Sequence, residues 1–372
     1  MKITILQGAF LPVPAIRGGA IEKAWERLGR EFVKLGHQVT HISRLCDGLP
    51  KEEEIEGVHH IRIDGADAVD NSIKLKLLEF PYVWRARRSL PQADVLVTHA
   101  FWAPIIYPSN SFGKMYVHVG RYPKGQLKFY RKANRLQAPS SSVTEAVKSE
   151  VPRAKDRVSA VPYPLPWEMN EQTTLKNRPK RMLYLGRLHP EKGVLELVRT
   201  WCQLSAVERK KWELRIVGPW KKEQGGGGLE YLNQIRNEIR KGEAKVELVE
   251  PIFEESQIIQ EYKSTRIFVY PSLAEKGETF GLAVVEAMSC GCVPLVSSLA
   301  CFREFVEDSK TGFVFDHKGE NLCDSLQNGL RETILNEPGQ ETVSREARKL
   351  AKSFELGEVS DRYLGDFALL LG

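Results

Sequence analysis

The 372-residue sequence has no run of about 18 apolar residues, so no segment of it is predicted to span a membrane. Its first apolar stretch, MKITIL, is too short for the hydrophobic core of a secretory signal. Six cysteines are scattered over this long chain, which excludes a small disulfide-stapled scaffold. Cys290 and Cys292 form a C-x-C pair, but no Cys or His pair with zinc-site spacing completes it. We therefore expect a cytoplasmic protein with reduced thiols and no structural metal.

The sequence also has little excess charge of either sign. Lys and Arg number 54 against 48 Asp and Glu, and a net charge of +6 is small for a dedicated nucleic-acid-binding protein of this length. Hydrophobic residues make up 42% and charged residues 27%, which is the balance of a folded globular chain. At roughly 100–200 residues per domain, the length predicts two domains.

Short apolar strands alternate with helices along the whole chain. The first helix has apolar residues at three- and four-residue spacing, and we expect it to end at Gly36. The strands are expected at residues 3–6, 39–43, 95–98, 116–119 and 158–161 in the first half, and at 182–185, 213–217, 246–249, 267–270 and 293–296 in the second. This alternation is typical of α/β proteins with parallel, doubly wound sheets.

The strand pattern is interrupted by a polar stretch, residues 168–180. We interpret it as a linker between a first domain at 1–167 and a second domain at 181–354, with a last helix at about 355–372 packed back on the first domain. Parallel sheets bind ligands at the carboxyl ends of their strands, so a ligand is expected in a cleft between the two domains. The glycine run at 225–228 predicts a flexible loop without an assigned role.

Two cations flank a strand-to-helix turn at the start of the second domain. Arg187 and Lys192 lie five residues apart in GRLHPEKG, directly after the first strand of that domain. Arg offers phosphate oxygens a planar fork and Lys a compact point charge, so the pair can neutralise a diphosphate without a metal. The alternative is two solvated cations on an ordinary turn.

Gly18 and Gly19 lie between the first strand and the first helix. Glycines there let a ligand approach the N–H groups of a helix N-terminus, although a strand-to-helix turn often needs glycine without any ligand. The spacing is not that of the G-x-G-x-x-G fingerprint, so no dinucleotide is inferred.

Two glutamates accompany an apolar helix expected at residues 282–288. Glu278 and Glu286 are separated by seven residues, and Glu286 falls inside the helix. A carboxylate in such a helix needs a hydrogen-bonding partner, for which a ribose diol and an internal ion pair are the candidates. Glu278 precedes the helix, where backbone N–H groups around Phe280 can face an anion or sugar hydroxyls.

Together these segments resemble the retaining glycosyltransferases of family 4, which have the GT-B fold. Residues 18–39 resemble the family's N-terminal signature, and 184–193 its phosphate-binding turn. Residues 216–219 resemble the end of its next strand, and 278–298 its paired-glutamate motif with the continuation. The resemblance covers nearly the whole chain and implies two Rossmann-like α/β domains that face a central cleft.

The resemblance implies catalytic and binding roles for matching side chains. Arg187 and Lys192 would clamp the diphosphate of a nucleotide-sugar. Glu286 would hold the ribose hydroxyls, and Glu278 would hydrogen-bond the hydroxyls of the donor sugar. His118, at a strand end, lies where the family places a histidine beside the donor sugar, although a packed histidine explains it equally when the residue is taken alone.

Backbone groups at other matching positions would complete the donor site. The N–H groups of Phe280, Gly281 and Leu282 would lie near the donor sugar. The turn of Gly18 and Gly19 would approach the phosphates or the sugar from the first domain. Ile252 lies where the family reads the base through backbone groups, and we expect that base to be uracil.

We therefore expect a metal-independent, retaining hexosyltransferase that uses a UDP-sugar, in the first instance UDP-glucose, and needs no further cofactor. No second carboxylate is placed as a covalent nucleophile, which favours front-face attack, with the leaving phosphate taking the acceptor's proton. The alternatives are a non-catalytic nucleotide-sugar-binding subunit, which would lose the Arg187–Lys192 pair, and a nucleotide-sugar epimerase of similar fold, whose acids and bases have no evident place here.

Two basic, aromatic-rich stretches of the first domain are candidate binding surfaces for partners other than the donor. Residues 119–144 contain six Lys and Arg and no Asp or Glu, and residues 73–88 read IKLKLLEFPYVWRARR. Such stretches bind anionic lipid head groups or a lipid diphosphate, or they are solvated helix faces. The candidate partners are thus a glycan or lipid-linked acceptor in polysaccharide biosynthesis and an anionic membrane surface at the inner membrane face, whereas nucleic acid is not expected.

Overall fold

The computed structural model describes residues 1–17, 19–69, 71–169, 174–209, 211–242, 244–319 and 321–372. They form two compact units, Met1–Trp167 together with Glu355–Gly372, and Glu168–Phe354. Gly18 and residues 170–173 of the predicted linker lie outside the described residues. None of the helices in the described part of the chain combines the length and the apolar character that crossing a bilayer requires.

In the described residues, the first unit has an eight-stranded sheet with the strand order β3-β4-β2-β1-β5-β6-β7-β8. Its strands are β1 (Lys2–Leu6), β2 (Gln38–Leu45), β3 (Glu52–Ile55), β4 (Val58–Asp64), β5 (Val95–Thr98), β6 (Lys114–His118), β7 (Arg135–Ala138) and β8 (Val158–Ala160). Its helices are α1 (Ala20–Lys34), α2 (Ser72–Ala86), α3 (Ala103–Ile106), α4 (Ser141–Glu150) and the C-terminal helix, Leu356–Leu371.

The strands of this sheet bury side chains on both faces. Ile5 packs with Trp25 of α1 and with Phe367 of the C-terminal helix. Leu6, the next residue of β1, points the other way and packs with Tyr82 of α2. Successive side chains of a strand point to opposite faces, so this alternation requires helices on both sides of the sheet.

The end of α1 confirms the prediction made at Gly36. Leu35 is the C-cap residue of α1, and Gly36, which follows it, has a φ of 84°. The N–H of His37 donates to the carbonyl of Phe32, so a carbonyl of the last turn keeps a partner. Glycine is favoured at this position because a left-handed φ strains a residue with a Cβ.

One strand pair of the first sheet departs from the expected parallel arrangement. β3 pairs antiparallel with β4 and forms a hairpin at the sheet edge. Glu56 and Gly57 connect the two strands with φ values of 49° and 77°, the left-handed pair that a two-residue hairpin turn requires. The sequence EEEIEGVHHIRID was not predicted to contain strands because it is charged and polar. Charged residues on an edge strand discourage pairing with another chain.

In the described residues, the second unit has a six-stranded sheet in which neighbouring strands are parallel, in the order β11-β10-β9-β12-β13-β14. Its strands are β9 (Arg181–Leu185), β10 (Glu213–Val217), β11 (Val246–Val249), β12 (Ile267–Tyr270), β13 (Val293–Ser297) and β14 (Phe313–Phe315). Its helices are α5 (Val194–Gln203), α6 (Ala206–Arg209), α7 (Gly228–Lys241), α8 (Glu255–Lys263), α9 (Leu282–Ser289), α10 (Leu322–Leu335) and α11 (Glu337–Ala351).

The strand order of the second sheet reverses at β9, which lies between β10 and β12. Open α/β sheets bind ligands at the carboxyl ends of the strands beside such a reversal. A ligand site is therefore expected at the residues that follow β9 and β12. The two units confirm the predicted fold class of two Rossmann-like α/β sheets.

Residues 174–180, inside the predicted linker, belong to the second unit. Arg178 is 5% exposed, and its guanidinium donates to the carbonyls of Thr265 and Cys290 at 2.9 and 2.7 Å. A buried arginine needs such acceptors, and here they come from segments more than 80 residues away in the sequence.

Candidate active site

The turn after β9 holds its two cations in different surroundings. Arg187 is exposed, and its guanidinium donates to the carbonyl of Gly225 at 2.8 Å and to the Glu191 carboxylate at 3.0 Å. Lys192 is only 5% exposed, and its Nζ lies 2.7 Å from Oε2 of Glu278. The structure thus brings three of the predicted site residues to one place and shows the protein groups that hold them.

The glycine run at 225–228 closes over this turn. The N–H of Gly227 donates to the carbonyl of Leu188, and the carbonyl of Gly225 accepts from Arg187. A Cβ on Gly226 would lie 2.2 Å from the carbonyl carbon of Trp220, so only glycine permits this close approach. The run, which had no predicted role, orients the Arg187 guanidinium.

Glu278 comes from the loop that follows β12, and this loop packs directly on the turn. The N–H of Leu273 donates to the carbonyl of Glu191 at 2.8 Å. A Cβ on Gly193 would lie 2.2 Å from the carbonyl oxygen of Pro271, and Gly193 has a φ of 67°. Glycine is therefore needed where the loop and the turn meet.

The ion pair between Lys192 and Glu278 is almost completely buried, with side-chain exposures of 6% and 11%. Its surroundings are aromatic, since Nζ of Lys192 lies 5.6 Å from the ring centre of Tyr270. Burial, followed by the nearby Glu278 charge, raises the pKa of Tyr270 well above its ordinary value, so the phenol stays neutral. Charges in such a site persist because each balances the other.

Helix α9 begins where the sequence predicted and places Glu286 on its second turn. Gly281 precedes it with a φ of 87°, and a Cβ there would lie 2.3 Å from the ring of Phe302. Phe280 is buried and packs against Phe305. This packing anchors the start of the helix, where the N–H groups of Leu282 and Ala283 precede the hydrogen bond from the N–H of Val284 to the carbonyl of Gly281.

Glu286 is half-buried and has a tyrosine as a partner. Its Oε2 accepts a hydrogen bond from the hydroxyl of Tyr262 at 3.1 Å. Burial raises the pKa of Tyr262 well above its ordinary value, so this donor is neutral. The contact orients the carboxylate without neutralising it. Tyr262 is 24 residues away in the sequence, and the sequence pattern did not indicate it.

A hydrogen-bonded chain of three side chains ties the Glu278 loop to the ends of β13 and β14. His317 bonds Oε1 of Glu275 through Nε2 at 2.6 Å and Oγ of Ser298 through Nδ1 at 2.8 Å. The neighbouring Lys318 lowers the pKa of Glu275, so this carboxylate stays charged. These residues were not predicted because 42 residues separate His317 from Glu275.

In the first unit, His118 ends β6 and is 3% exposed. Its Nδ1 lies 2.6 Å from Oε1 of Gln137, and its Nε2 lies 2.8 Å from the hydroxyl of Tyr163. The amide nitrogen of Gln137 donates to the carbonyl of Val161, which leaves Oε1 to accept from Nδ1–H, so Nε2 accepts from Tyr163. Burial lowers the pKa of His118 to about 4, in agreement with this neutral ring.

The carboxyl end of β1 carries a second polar group of side chains. Gly19 has a φ of 102°, and a Cβ there would lie 2.2 Å from Oε2 of Glu22. Oε1 of Glu22 lies 3.8 Å from Nε2 of His99, which accepts from the N–H of Gly8. Burial raises the pKa of Glu22 and lowers that of His99 to about 3. Glu22 and His99 were not singled out from the sequence.

The loop after β11 contains Ile252, which is half-buried. A pocket of about 280 Å³ lies between α7 and β11 and extends to Trp220 and Glu250. Ile252, which is two residues beyond Glu250 in the sequence, does not line this pocket.

Residues 167–350, almost the whole second unit, match the sequence profile of the family Glycosyl transferases group 1. The second unit is a group 1 glycosyl transferase domain. The paired glutamates and the cationic turn described above both lie inside the matched residues of this domain.

Curated proteins share this similarity at low identity. The chain is 24% identical over 197 residues to lipopolysaccharide 1,2-N-acetylglucosaminetransferase of Salmonella typhimurium, covering 52% of this chain and 50% of the relative. It is 24% identical over 199 residues to O-antigen chain mannosyltransferase B of Escherichia coli, covering 50% and 45%. These matches span about half the length of the two relatives. Spore coat protein SA of Bacillus subtilis is 22% identical over 378 residues, 95% of each chain.

Solved structures match the chain over its whole length. A sucrose-phosphate synthase from Thermosynechococcus elongatus has a TM-score of 0.77 at 17% identity, covering 99% of this chain and 98% of that chain. Anabaena HepE, in complex with UDP and glucose, has a TM-score of 0.73 at 17% identity, covering 99% and 100%. At this identity the likeness shows the fold, which is the GT-B fold of glycosyltransferases.

Proposed function

We propose that the protein is a retaining glycosyltransferase that moves a hexose from a UDP-sugar to a glycan or lipid-linked acceptor in polysaccharide biosynthesis. The observation that carries this proposal is the meeting of Arg187, Lys192 and Glu278 at the carboxyl ends of β9 and β12, inside a group 1 domain. The names of the Salmonella and Escherichia relatives support the pathway, and the UDP and glucose bound to HepE support the donor.

Donor binding would exchange the partners of the buried ion pair. A diphosphate on the turn after β9 offers oxygens to Lys192 and to the exposed guanidinium of Arg187. The sugar hydroxyls then donate to Glu278, which releases Lys192. Lys192 keeps an anionic partner and the Glu278 carboxylate keeps hydrogen-bond donors in this exchange, so neither buried charge is left without a polar partner.

The nucleoside would occupy the neighbouring positions. A ribose diol can donate two hydrogen bonds to Glu286, which Tyr262 already orients. Backbone groups at Ile252 are proposed to read the base, with uracil as the expected base. The N–H groups that begin α9, from Phe280 to Leu282, would face the sugar and the phosphate nearest to it.

The reaction breaks the bond between the anomeric carbon and the leaving phosphate and forms a bond from that carbon to the acceptor oxygen. Negative charge develops on the departing UDP, where Arg187, Lys192 and the start of α9 stabilise it. The leaving phosphate takes the acceptor's proton on the same face, which retains the configuration. The two side-chain cations supply the positive charge, so the proposal invokes no metal ion.

The test is turnover of UDP-sugars by the purified chain. We expect release of UDP from UDP-glucose in the presence of a glycan acceptor, unchanged by EDTA, and an NMR spectrum that shows the donor's anomeric configuration in the product. Arg187→Ala should lower kcat/KM by about 100- to 1,000-fold. Arg199→Ala is the matched control, because Arg199 lies in the same unit with 44% side-chain exposure against 43% for Arg187.

Three outcomes would contradict the proposal. Full activity of the Arg187→Ala variant would show that Arg187 does not stabilise the diphosphate. An inverted product would remove the retaining mechanism. Tight UDP binding without turnover of any UDP-sugar would identify a non-catalytic binding subunit.

A further inference from the structure

Helix α2 of the first unit has large apolar side chains on its outward face as well as on its inward face. The inward residues are buried and follow one another by one or three positions: Glu79, Tyr82, Val83 and Ala86. The outward residues also recur every three or four positions: Ile73, Leu77, Phe80 and Trp84, which are 68%, 64%, 38% and 49% exposed. That spacing aligns the outward residues in one stripe along the helix.

Basic side chains border this apolar stripe on both sides. At about 100° per residue, Lys76 falls on one side of the stripe and Lys74 and Arg85 fall on the other, while Arg87 and Arg88 follow directly after the end of the helix. All five are exposed. The acidic residue of the helix, Glu79, faces inward, where its carboxylate accepts from the N–H of Phe101 at 2.8 Å. The outward face of α2 is therefore apolar along its centre and purely cationic along its edges.

Aromatic contacts connect the stripe to two neighbouring loops. The ring of Trp102 meets that of Phe80 at 5.3 Å, and Phe101 packs against Tyr130 at 6.2 Å. Beside Tyr130, Phe129 is 55% exposed. The surrounding segment, 119–144, has no acidic residue, and it adds five exposed cations: Arg121, Lys124, Lys128, Arg131 and Lys132.

We propose that this surface, which consists of the α2 stripe and the cations around it, docks on an anionic lipid bilayer. The stripe would enter the boundary between head groups and acyl chains, while the cations would lie at the level of the lipid phosphates. Charge complementarity selects this occupant. A second copy of the chain would bring cations against cations, which disfavours a symmetric dimer through this face. The proposal uses no residue of the second unit and is independent of the proposed activity.

The experiment is cosedimentation of the full chain with vesicles of phosphatidylcholine alone or mixed with phosphatidylglycerol. We expect binding to the mixed vesicles and little to the neutral ones. Binding should fall by about tenfold between about 0.1 and about 0.5 M salt, because salt screens the attraction to the lipid phosphates. Lys74→Gln with Lys128→Gln should weaken binding to mixed vesicles.

The stripe is tested by the double variant Leu77→Gln, Trp84→Gln. Both side chains are exposed, so the fold should persist, which circular dichroism melting checks. We expect binding to the mixed vesicles to weaken by about tenfold or more, because apolar burial at the interface is lost. The control is Val207→Gln with Leu335→Gln, two apolar residues of the second unit that are 78% and 65% exposed. This control should bind like the wild type.

The proposal fails if the wild type does not sediment with anionic vesicles or sediments equally with neutral ones. It fails equally if the Leu77→Gln, Trp84→Gln variant binds as well as the wild type. A dimer in analytical ultracentrifugation that this variant dissolves would assign the surface to a second copy of the chain instead. The turnover of UDP-sugars in solution is a separate readout, so a failure here leaves the proposed activity standing.

Discussion

The two units surround their histidines in opposite ways. The first unit contains six of the eight histidines, and burial lowers the pKa of five of them: His37, His41, His60, His99 and His118. The second unit contains His189 and His317, and each faces a carboxylate, Glu191 at 3.7 Å and Glu275 at 2.6 Å. Protonation of the buried histidines therefore opposes the packing of the first unit, whereas the second unit holds its histidines against carboxylates.

The two units also differ in whether full charges or neutral groups form their polar clusters. In the second unit the proposed site is built from full charges, above all the buried pair of Lys192 and Glu278. In the first unit His118, at the end of β6, is a neutral group held between Gln137 and Tyr163. We expect loss of charge to impair the second unit and gain of charge to impair the first.

The largest effect is expected from removing one member of the buried pair. Lys192→Ala leaves Glu278 without this cation in a site that is almost closed to water, and it removes a proposed phosphate ligand. We expect kcat/KM for the UDP-sugar to fall by about 100- to 1,000-fold and the second unit to lose about 3 kcal/mol of stability. Steady-state kinetics and urea unfolding measure the two effects.

The control for this variant is Lys310→Ala, which removes an exposed pair with Glu307 in the same unit. It should leave both the stability and the kinetics nearly unchanged, because exposed ion pairs contribute little. Equal losses of stability and of kcat/KM in Lys192→Ala and Lys310→Ala would contradict the conclusion that burial makes the Lys192–Glu278 pair important.

Acid should unfold the first unit before the second. The folded pKa values are about 4 for His60 and His118 and about 3 for His99, against about 6.5 in an unfolded chain. The unfolded state therefore binds more protons, and the stability present above about pH 6.5 is lost as the pH falls towards the folded values, by about 1.4 kcal/mol per pH unit for each histidine.

Differential scanning calorimetry between pH 7 and 5, with limited proteolysis to assign each transition, measures this effect. The transition of the first unit should shift to lower temperature much more than that of the second. His60→Gln should reduce the shift. A larger shift of the second unit's transition would overturn the comparison.

A smaller effect is expected at the positioning residue His317. His317→Ala breaks the chain from Ser298 to Glu275 and loosens the loop that carries Glu278. We expect kcat to fall by about tenfold through misplacement of Glu278, while UDP binds with unchanged affinity. His317→Gln, which can still donate to Glu275, should recover part of the loss, and Lys310→Ala, which pairs with Glu307 outside this chain, is the control. A variant that loses UDP affinity instead would argue against a positioning role.

The smallest effect concerns a glycine of the first unit. Gly36→Ala places a Cβ in open space at a left-handed φ, so it should cost only about 1 kcal/mol and leave kinetics unchanged. As the comparison for this small effect, Gly193→Ala in the second unit would put its Cβ 2.2 Å from the carbonyl oxygen of Pro271 and should lower kcat/KM, although less than Lys192→Ala does. Thermal melts and kinetics of the pair compare the two units directly. Similar losses of activity at both positions would contradict the close packing inferred for Gly193.

The regular elements could be predicted because their signal is local. All ten predicted strands occur, since each is a short apolar run bounded by turns. β7 was missed because its polar residues are buried only through partners far away: Arg135 lies 3.1 Å from Asp366, and Gln137 bonds His118. β3 and β4 were missed because both are rich in charged and polar residues: β3 lies at the sheet edge, and the buried polar residues of β4 are His60 and Arg62.

The residues of the candidate site could be proposed from motifs, but their partners could not. Lys192 and Glu278 are 86 positions apart, and nothing local in the sequence pairs them. The same holds for the bonds from Tyr262 to Glu286 and from Tyr163 to His118. These contacts depend on which strands become neighbours, which is a property of the whole fold.

The salt bridge of Lys192 and Glu278 also bears on which ligands are retained. A free phosphate would bind Lys192 but would give Glu278 no hydrogen-bond donor. Its binding would therefore cost the ion pair without replacing the partner of Glu278. A molecule with both an anionic bridge and a polyol satisfies both ends at once. Under the proposed function, transfer of the sugar would let Glu278 pair with Lys192 again, which would favour release of the nucleotide.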